Sequence, residues 1–165
     1  MVMDVPDLYL KKALVLGCGN VLFGDDGFGV EVARYINENY AVPSDVEVLD
    51  VGTGVRSILF NMILYEGGPE KIIVVDSVDK GRRPGEVFKI SLEDIPLNKT
   101  DDFSMHETPS SNMLKELQDF CDMEVIVLVC QVKHIPTEVE MGLTPEVKSA
   151  VPVASKIVME LLIER

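Results

Sequence analysis

Three stretches of this chain are apolar from end to end: Leu14-Val15-Leu16, Ile72-Ile73-Val74-Val75 and Val125-Ile126-Val127-Leu128-Val129-Cys130. A strand with one face in water alternates apolar and polar residues. A strand covered on both faces does not, and that second condition is met inside parallel sheets flanked by helices. All three runs fall far short of the roughly 20 residues that cross a bilayer as a helix. They must therefore be buried by the chain itself.

The segments between them supply the cover. From about Gly27 to Asn39, Val30, Ala33 and Ile36 recur at helical spacing. Val46 to Asp50 reads as a further strand. Val55 to Glu66 predicts a helix stopped by Gly67-Gly68-Pro69. Glu86 to Ile90 alternates, as a more exposed strand does. Ile95 to Pro109 reads as a long loop, and a helix starting near Thr108-Pro109 carries Met113, Leu114, Leu117 and Phe120 as its apolar stripe. Thr144 is the expected N-cap of a C-terminal helix, with a kink or break at Pro152. Strand–helix alternation of this kind predicts one α/β domain over residues 1–165, a three-layer α/β/α sandwich around a mostly parallel five-stranded sheet. Ligands of such sheets bind at the carboxyl ends of the strands.

The charge balance narrows the function. Fifteen Lys and Arg stand against 28 Asp and Glu, a net charge of −13. Binding nucleic acid or an anionic membrane surface requires the opposite balance. Cys18, Cys121 and Cys130 are an odd set without a Cys-x-x-Cys pair, and the first residues lack a signal-peptide pattern, so a reducing cytoplasm is expected.

The segment Gly17-Cys18-Gly19-Asn20-Val21-Leu22-Phe23-Gly24-Asp25-Asp26-Gly27-Phe28-Gly29 links a strand to a helix. A dinucleotide fingerprint would need Gly where Leu22 stands, and a P-loop would need a Lys that is absent. Two acids at the helix start would also repel a phosphate. These features count against a non-enzymatic nucleotide-binding domain, which stays the alternative reading. Asp25 and Asp26 suit helix capping, yet the glycines around them leave the backbone accessible. Asp76 closes the strand Ile72 to Val75 at the expected ligand rim, and Asp50 has a similar place before Gly52-Thr53-Gly54. His106 lies in a polar loop before a helix, and His134 follows the last strand. Two carboxylates and one imidazole make a three-ligand set with open positions, suited to Zn, Ni, Mn or Fe in a hydrolytic role. No His-Glu-x-x-His or Gly-x-Ser-x-Gly motif is present. Cys18, in the loop after the first strand, is the one conceivable thiol nucleophile.

Five motifs then occur in order: Leu16-Gly17-Cys18-Gly19-Asn20 through Gly24-Asp25-Asp26-Gly27-Phe28-Gly29-Val30; Asp50-Val51-Gly52-Thr53; Ile73-Val74-Val75-Asp76 with Pro84-Gly85-Glu86; His106; and Gly142-Leu143-Thr144-Pro145. In this set the chain resembles, over nearly its whole length, the hydrogenase maturation proteases, which trim the C-terminus of the nickel–iron hydrogenase large subunit. The resemblance implies a metal-binding and catalytic triad of Asp26, Asp76 and His106, where the family often has Glu in place of Asp26. It implies a nickel-loaded large-subunit precursor as partner, nickel supplied by that precursor with other divalent metals able to substitute, and a monomer. Asp25, Asp50, Gly52 and Thr53 are candidates for the substrate groove. The opening Met3 to Tyr9 and the phrase Asp50 to Arg56 are most similar to the branch serving archaeal coenzyme F-420-reducing hydrogenases.

Overall fold

The structure is a computed structural model that describes residues 5–65, 67–94 and 111–164. The loop expected from Ile95 to Pro109, the start of the following helix at Thr108-Pro109 and His106 lie outside the described residues. The elements run α1 (Val5–Tyr9), β1 (Ala13–Cys18), α2 (Phe28–Asn39), β2 (Val46–Gly52), α3 (Val55–Leu64), β3 (Lys71–Val78), β4 (Val87–Ile90), α4 (Ser111–Phe120), β5 (Glu124–Gln131) and α5 (Pro145–Ile163). The strands form one sheet in the order β2-β1-β3-β5-β4, parallel except for β4. The sandwich expected from the sequence is the one observed.

Side-chain parity builds the two outer layers. Val15, Ile73, Val75 and Leu128 face one way and pack with Phe28, Val32 and Ile36 of α2 and Val147, Ala154 and Val158 of α5. Leu14, Leu16, Ile72, Val74 and Val127 face the other way, against Leu59 of α3, Leu114 and Leu117 of α4, and Tyr9. Successive strand residues thus serve different cores, which is why the runs Leu14–Leu16, Ile72–Val75 and Val125–Cys130 carry no polar positions.

Chain order reverses at β1. From β1 the sheet grows to β2 on one side and to β3 on the other. The crevice of such a sheet opens at this switch point, between the carboxyl ends of β1 and β3. There α2 approaches the sheet without side chains in between. A Cβ on Gly29 would overlap the carbonyl oxygens of Val75 and Cys18, and one on Gly17 would overlap the Gly29 carbonyl. These two glycines serve backbone packing rather than an open phosphate-type loop.

Three local expectations change, and one buried charge is new. The helix over 55–64 ends before the Gly67-Gly68 pair, because Tyr65 becomes extended and stacks its ring 4.6 Å from that of Tyr9. Phe120 leaves the stripe of α4. It is the last helical residue, the chain then turns through Asp122 at φ 52°, and its ring is 85% exposed. Pro152 does not break α5, which runs as one helix from Pro145 to Ile163. Pro152 and Lys148, whose carbonyl lacks its usual partner, are both exposed, so water can serve that carbonyl. Finally Lys71, at the start of β3, is buried and donates from Nζ to the carbonyls of Leu161 and Glu164, both at 2.7 Å. It neutralises the negative end of α5.

The backbone contact of α2 with the sheet makes a direct test. Gly29→Ala is expected to lower stability by about 3 kcal/mol or more, because neither neighbour is a movable side chain. Gly68→Ala, with only the tip of Met123 at 3.4 Å, is expected to stay within about 0.5 kcal/mol of the unmodified chain. Urea unfolding midpoints report both.

Candidate active site

The crevice between β1 and β3 holds two buried carboxylates. Asp26 belongs to a short 3-10 turn, Gly24–Gly27, that precedes α2, and it is 4% exposed. Asp76 lies within β3, which continues two residues past it to Val78, and is 7% exposed. By strand parity Asp76 faces the α3–α4 layer, with Ile72 and Val74.

Ser77 joins them. Its amide donates to Asp76 Oδ1 at 2.8 Å, and its hydroxyl donates to Asp26 Oδ1 at 3.4 Å. The second oxygen of Asp26 accepts the Asn20 amide at 3.1 Å. Gly19 completes the floor at φ 129°. A side chain there would overlap the Asp26 carbonyl and reach 3.7 Å from Asp76 Oδ1. Asn20 and Ser77 were not singled out from the sequence. Asn20 ends a motif segment and Ser77 follows one, but only the fold brings Asn20 to Asp26 and Ser77 to both carboxylates.

Asp25 has a different task. It is fully buried, and its carboxylate faces away from any groove. Oδ2 accepts the amides of Lys133 and His134 at 2.9 and 3.2 Å. Oδ1 accepts the Thr144 amide at 2.7 Å, and the Thr144 hydroxyl lies 2.9 Å from both oxygens. Thr144 is the N-cap of α5 by position, yet its hydroxyl serves Asp25 instead of its own helix. Asp25 thus ties the turn bearing Asp26 to the segment after β5 and to the start of α5. His134 takes part through its backbone, and its side chain is exposed.

The remaining candidates lie at the outer rim. Gly52, at φ 53°, accepts the Gly19 amide at its carbonyl (3.1 Å), and Thr53 beside it is exposed. Asp50 is exposed and paired with Arg34 of α2 at 3.2 Å. A register shift between Gly17 and Cys18 lets β2 bulge there. Among the described residues, no three His, Cys, Asp or Glu side chains cluster to hold a metal ion.

Cysteine chemistry is excluded at this rim. Cys18 is the last residue of β1 and fully buried, not a loop residue. Burial, and then the charge of Asp76, hold its thiol well above the usual range. Burial, and then Asp25, push Cys130 up to about 12, against a smaller lowering by a backbone bond to Gly85.

A doubly wound sheet with paired acids at its switch point defines a class: an α/β protein with a carboxylate-lined site at the carboxyl ends of its strands. The comparisons specify it. The sequence model described as hydrogenase maturation protease, HycI, matches residues 30–161. The coenzyme F-420 hydrogenase subunit delta of Methanothermobacter thermautotrophicus is 39% identical over 156 residues, covering 92% of this chain and 95% of its own. The hydrogenase 2 maturation protease of Escherichia coli is 29% identical, covering 93% and 92%. The solved structure of the hydrogenase maturating endopeptidase HybD from E. coli superposes with a TM-score of 0.69 at 27% identity, covering 92% and 91%. The chain belongs to the hydrogenase maturation protease family and is an endopeptidase, a hydrolase. The non-enzymatic alternative falls away with that membership.

Two outcomes check the site's architecture. Asp25→Asn places an amide donor where four protein donors converge, so about 2–4 kcal/mol of stability should be lost, read by chemical unfolding. Alkylation of the native chain at pH 8 should add one label, at exposed Cys121. Cys18 and Cys130 should react only on unfolding; at pH 8 a thiol at about 12 is ionised in only about one molecule in 10⁴.

Proposed function

We propose that this endopeptidase removes a C-terminal peptide from the nickel-loaded large-subunit precursor of a nickel–iron hydrogenase. The observation that carries this reading is the pair of buried carboxylates, Asp26 and Asp76, brought to one residue, Ser77, at the mouth of the sheet. Two carboxylates alone would suit a hard divalent ion, and an imidazole beside them would turn the donor set toward a borderline one such as nickel. His106, outside the described residues, is the third ligand in the proposal. The nickel arrives as part of the substrate, and other divalent ions can take its place.

In this reading Asp26, Asp76 and His106 would hold the ion, which would supply Lewis-acid polarisation of the scissile carbonyl. One of the two carboxylates takes a proton from the attacking water, and the other keeps the ion in place. Ser77 and the Asn20 amide hold the Asp26 oxygens in a single orientation, so little reorganisation accompanies the reaction. Gly52 and Thr53 border the groove through the bond from Gly19 to the Gly52 carbonyl. The coenzyme F-420-reducing type of hydrogenase is the proposed source of the precursor. Its support is the 39% identity to the delta subunit of such a hydrogenase. The proposed setting is a cytoplasmic monomer. Among the described residues, no helix is long and apolar enough to cross a membrane.

Intact mass of the precursor is the test. With nickel bound, the chain should release one C-terminal peptide; without nickel, the mass should stay unchanged. Asp26→Asn and Asp76→Asn should each lower the rate by about 10²-fold or more. Full cleavage by both variants would refute the proposed roles.

A further inference from the structure

A short strand pairing lies beside the turn that carries Asp26, and half of it is open. Phe23 and Glu140 form an isolated parallel bridge. The Glu140 amide donates to the Leu22 carbonyl at 2.9 Å, and the Gly24 amide donates to the Glu140 carbonyl at 2.8 Å. Both backbone groups of Glu140 therefore point inward. Backbone groups of successive strand residues point to opposite edges. Those of Val139 and Met141 consequently point outward, and among the described residues neither makes a backbone hydrogen bond. Such an edge is a template for another strand.

Its side chains share a chemistry. Val139 is 66% exposed and Met141 68%, and they project to the same face because they are two residues apart. The bridge places Leu22, 42% exposed, next to Val139. Glu138 and Glu140 are exposed at the same edge. Met141 also forms the lip of a cleft of about 760 Å³ between α2 and α5, lined by Val21, Tyr35, Leu143 and Val151. Large apolar side chains beside unpaired backbone mark a surface for an extended polypeptide.

We propose that residues 138–141 receive an extended segment of the polypeptide substrate as an added strand. Its apolar side chains lie on Leu22, Val139 and Met141, and a Lys or Arg faces Glu138 and Glu140. Two observations assign the substrate as occupant. The edge is bonded to Gly24, two residues from Asp26, so a chain added to it lies two strand spacings, roughly 10 Å, from the segment that leads into the Asp26 turn. The same segment is tied at both ends to Asp25, through Lys133 and His134 on one side and Thr144 on the other. A strand docked here is therefore held at a constant distance from Asp26. The partner's identity rests on the reading given under the proposed function.

The test is the dissociation constant of the nickel-loaded precursor for the full chain carrying Asp26→Asn, so that binding is read without cleavage. Two changes are added to it separately. The Val139→Asp/Met141→Asp pair places charge on the apolar face. Met141→Pro removes one outward N–H, and Glu140 before it is already extended, as a residue preceding proline must be. Both are expected to raise the dissociation constant about tenfold or more with unchanged unfolding midpoints. Phe120→Asp, the same kind of change on exposed α4, should leave it unaltered. An unchanged constant for both edge variants would overturn the inference. So would an effect of the charged pair without one of Met141→Pro, because backbone pairing would then be absent, and so would a precursor that does not bind. Cleavage by the unmodified chain is scored separately. A precursor that binds through the edge and is never cut would sink the proposed function and leave this surface standing.

Discussion

The first turn of α2 rests on bare backbone. Gly29 meets the carbonyls of Val75 and Cys18, and Gly17 meets Gly29, with no side chain able to fit between. Interiors pack without adjustable voids, so an approach this close determines where the helix starts to within a fraction of an ångström. Since the turn Gly24–Gly27 leads directly into that helix, the place of Asp26 follows. The place of Asp76 follows too, because Val75, one residue earlier, is what α2 touches. The crevice between β1 and β3 is thus set by backbone contact, and the carboxylates inherit their geometry from it.

Adjacent acids then divide into two kinds. A buried charge is tolerated when hydrogen bonds satisfy it, and costs several kcal/mol when they do not. Asp25 is satisfied by the amides and hydroxyl of three distant residues, and it knits chain segments more than 100 positions apart. Asp26 and Asp76 share Ser77 and sit at the edge of the crevice, where burial is incomplete. One acid closes the structure while its neighbour and a strand residue stay at the crevice. The segment 133–144, fastened by Asp25 at both ends, presents an open strand edge between those two fastenings.

Much of this was legible in the residue order. Uniformly apolar strands require two covering layers, and the layers are there. The alternation in Glu86 to Ile90 marked an edge strand, and β4 is that edge. Asp25, Asp26, Asp50 and Asp76 were legible as acids near one rim because the ends of parallel strands converge there, and the choice of Asp26 with Asp76 among them followed from the family resemblance. The site floor was less so. Ser77 and Asn20 are common turn-type residues, and nothing local distinguishes them from capping groups. Phe120 fits the helical period but falls at the end of its helix, where periodicity ceases to imply burial. Thr144 was correctly placed as an N-cap, yet its hydroxyl turns to a carboxylate 119 positions away.

Residue order by itself therefore determined the layers, the strand set and the acids available at the rim, since periodicity and local propensity act over a few residues. Tertiary structure alone decided which acid is sealed and which is presented, where the glycines of α2 must make contact, and that Lys71 finishes α5. Those outcomes depend on hydrogen bonds and backbone contacts between segments far apart in the chain. No local pattern encodes such partners; they exist only once the sheet has brought its strand ends together.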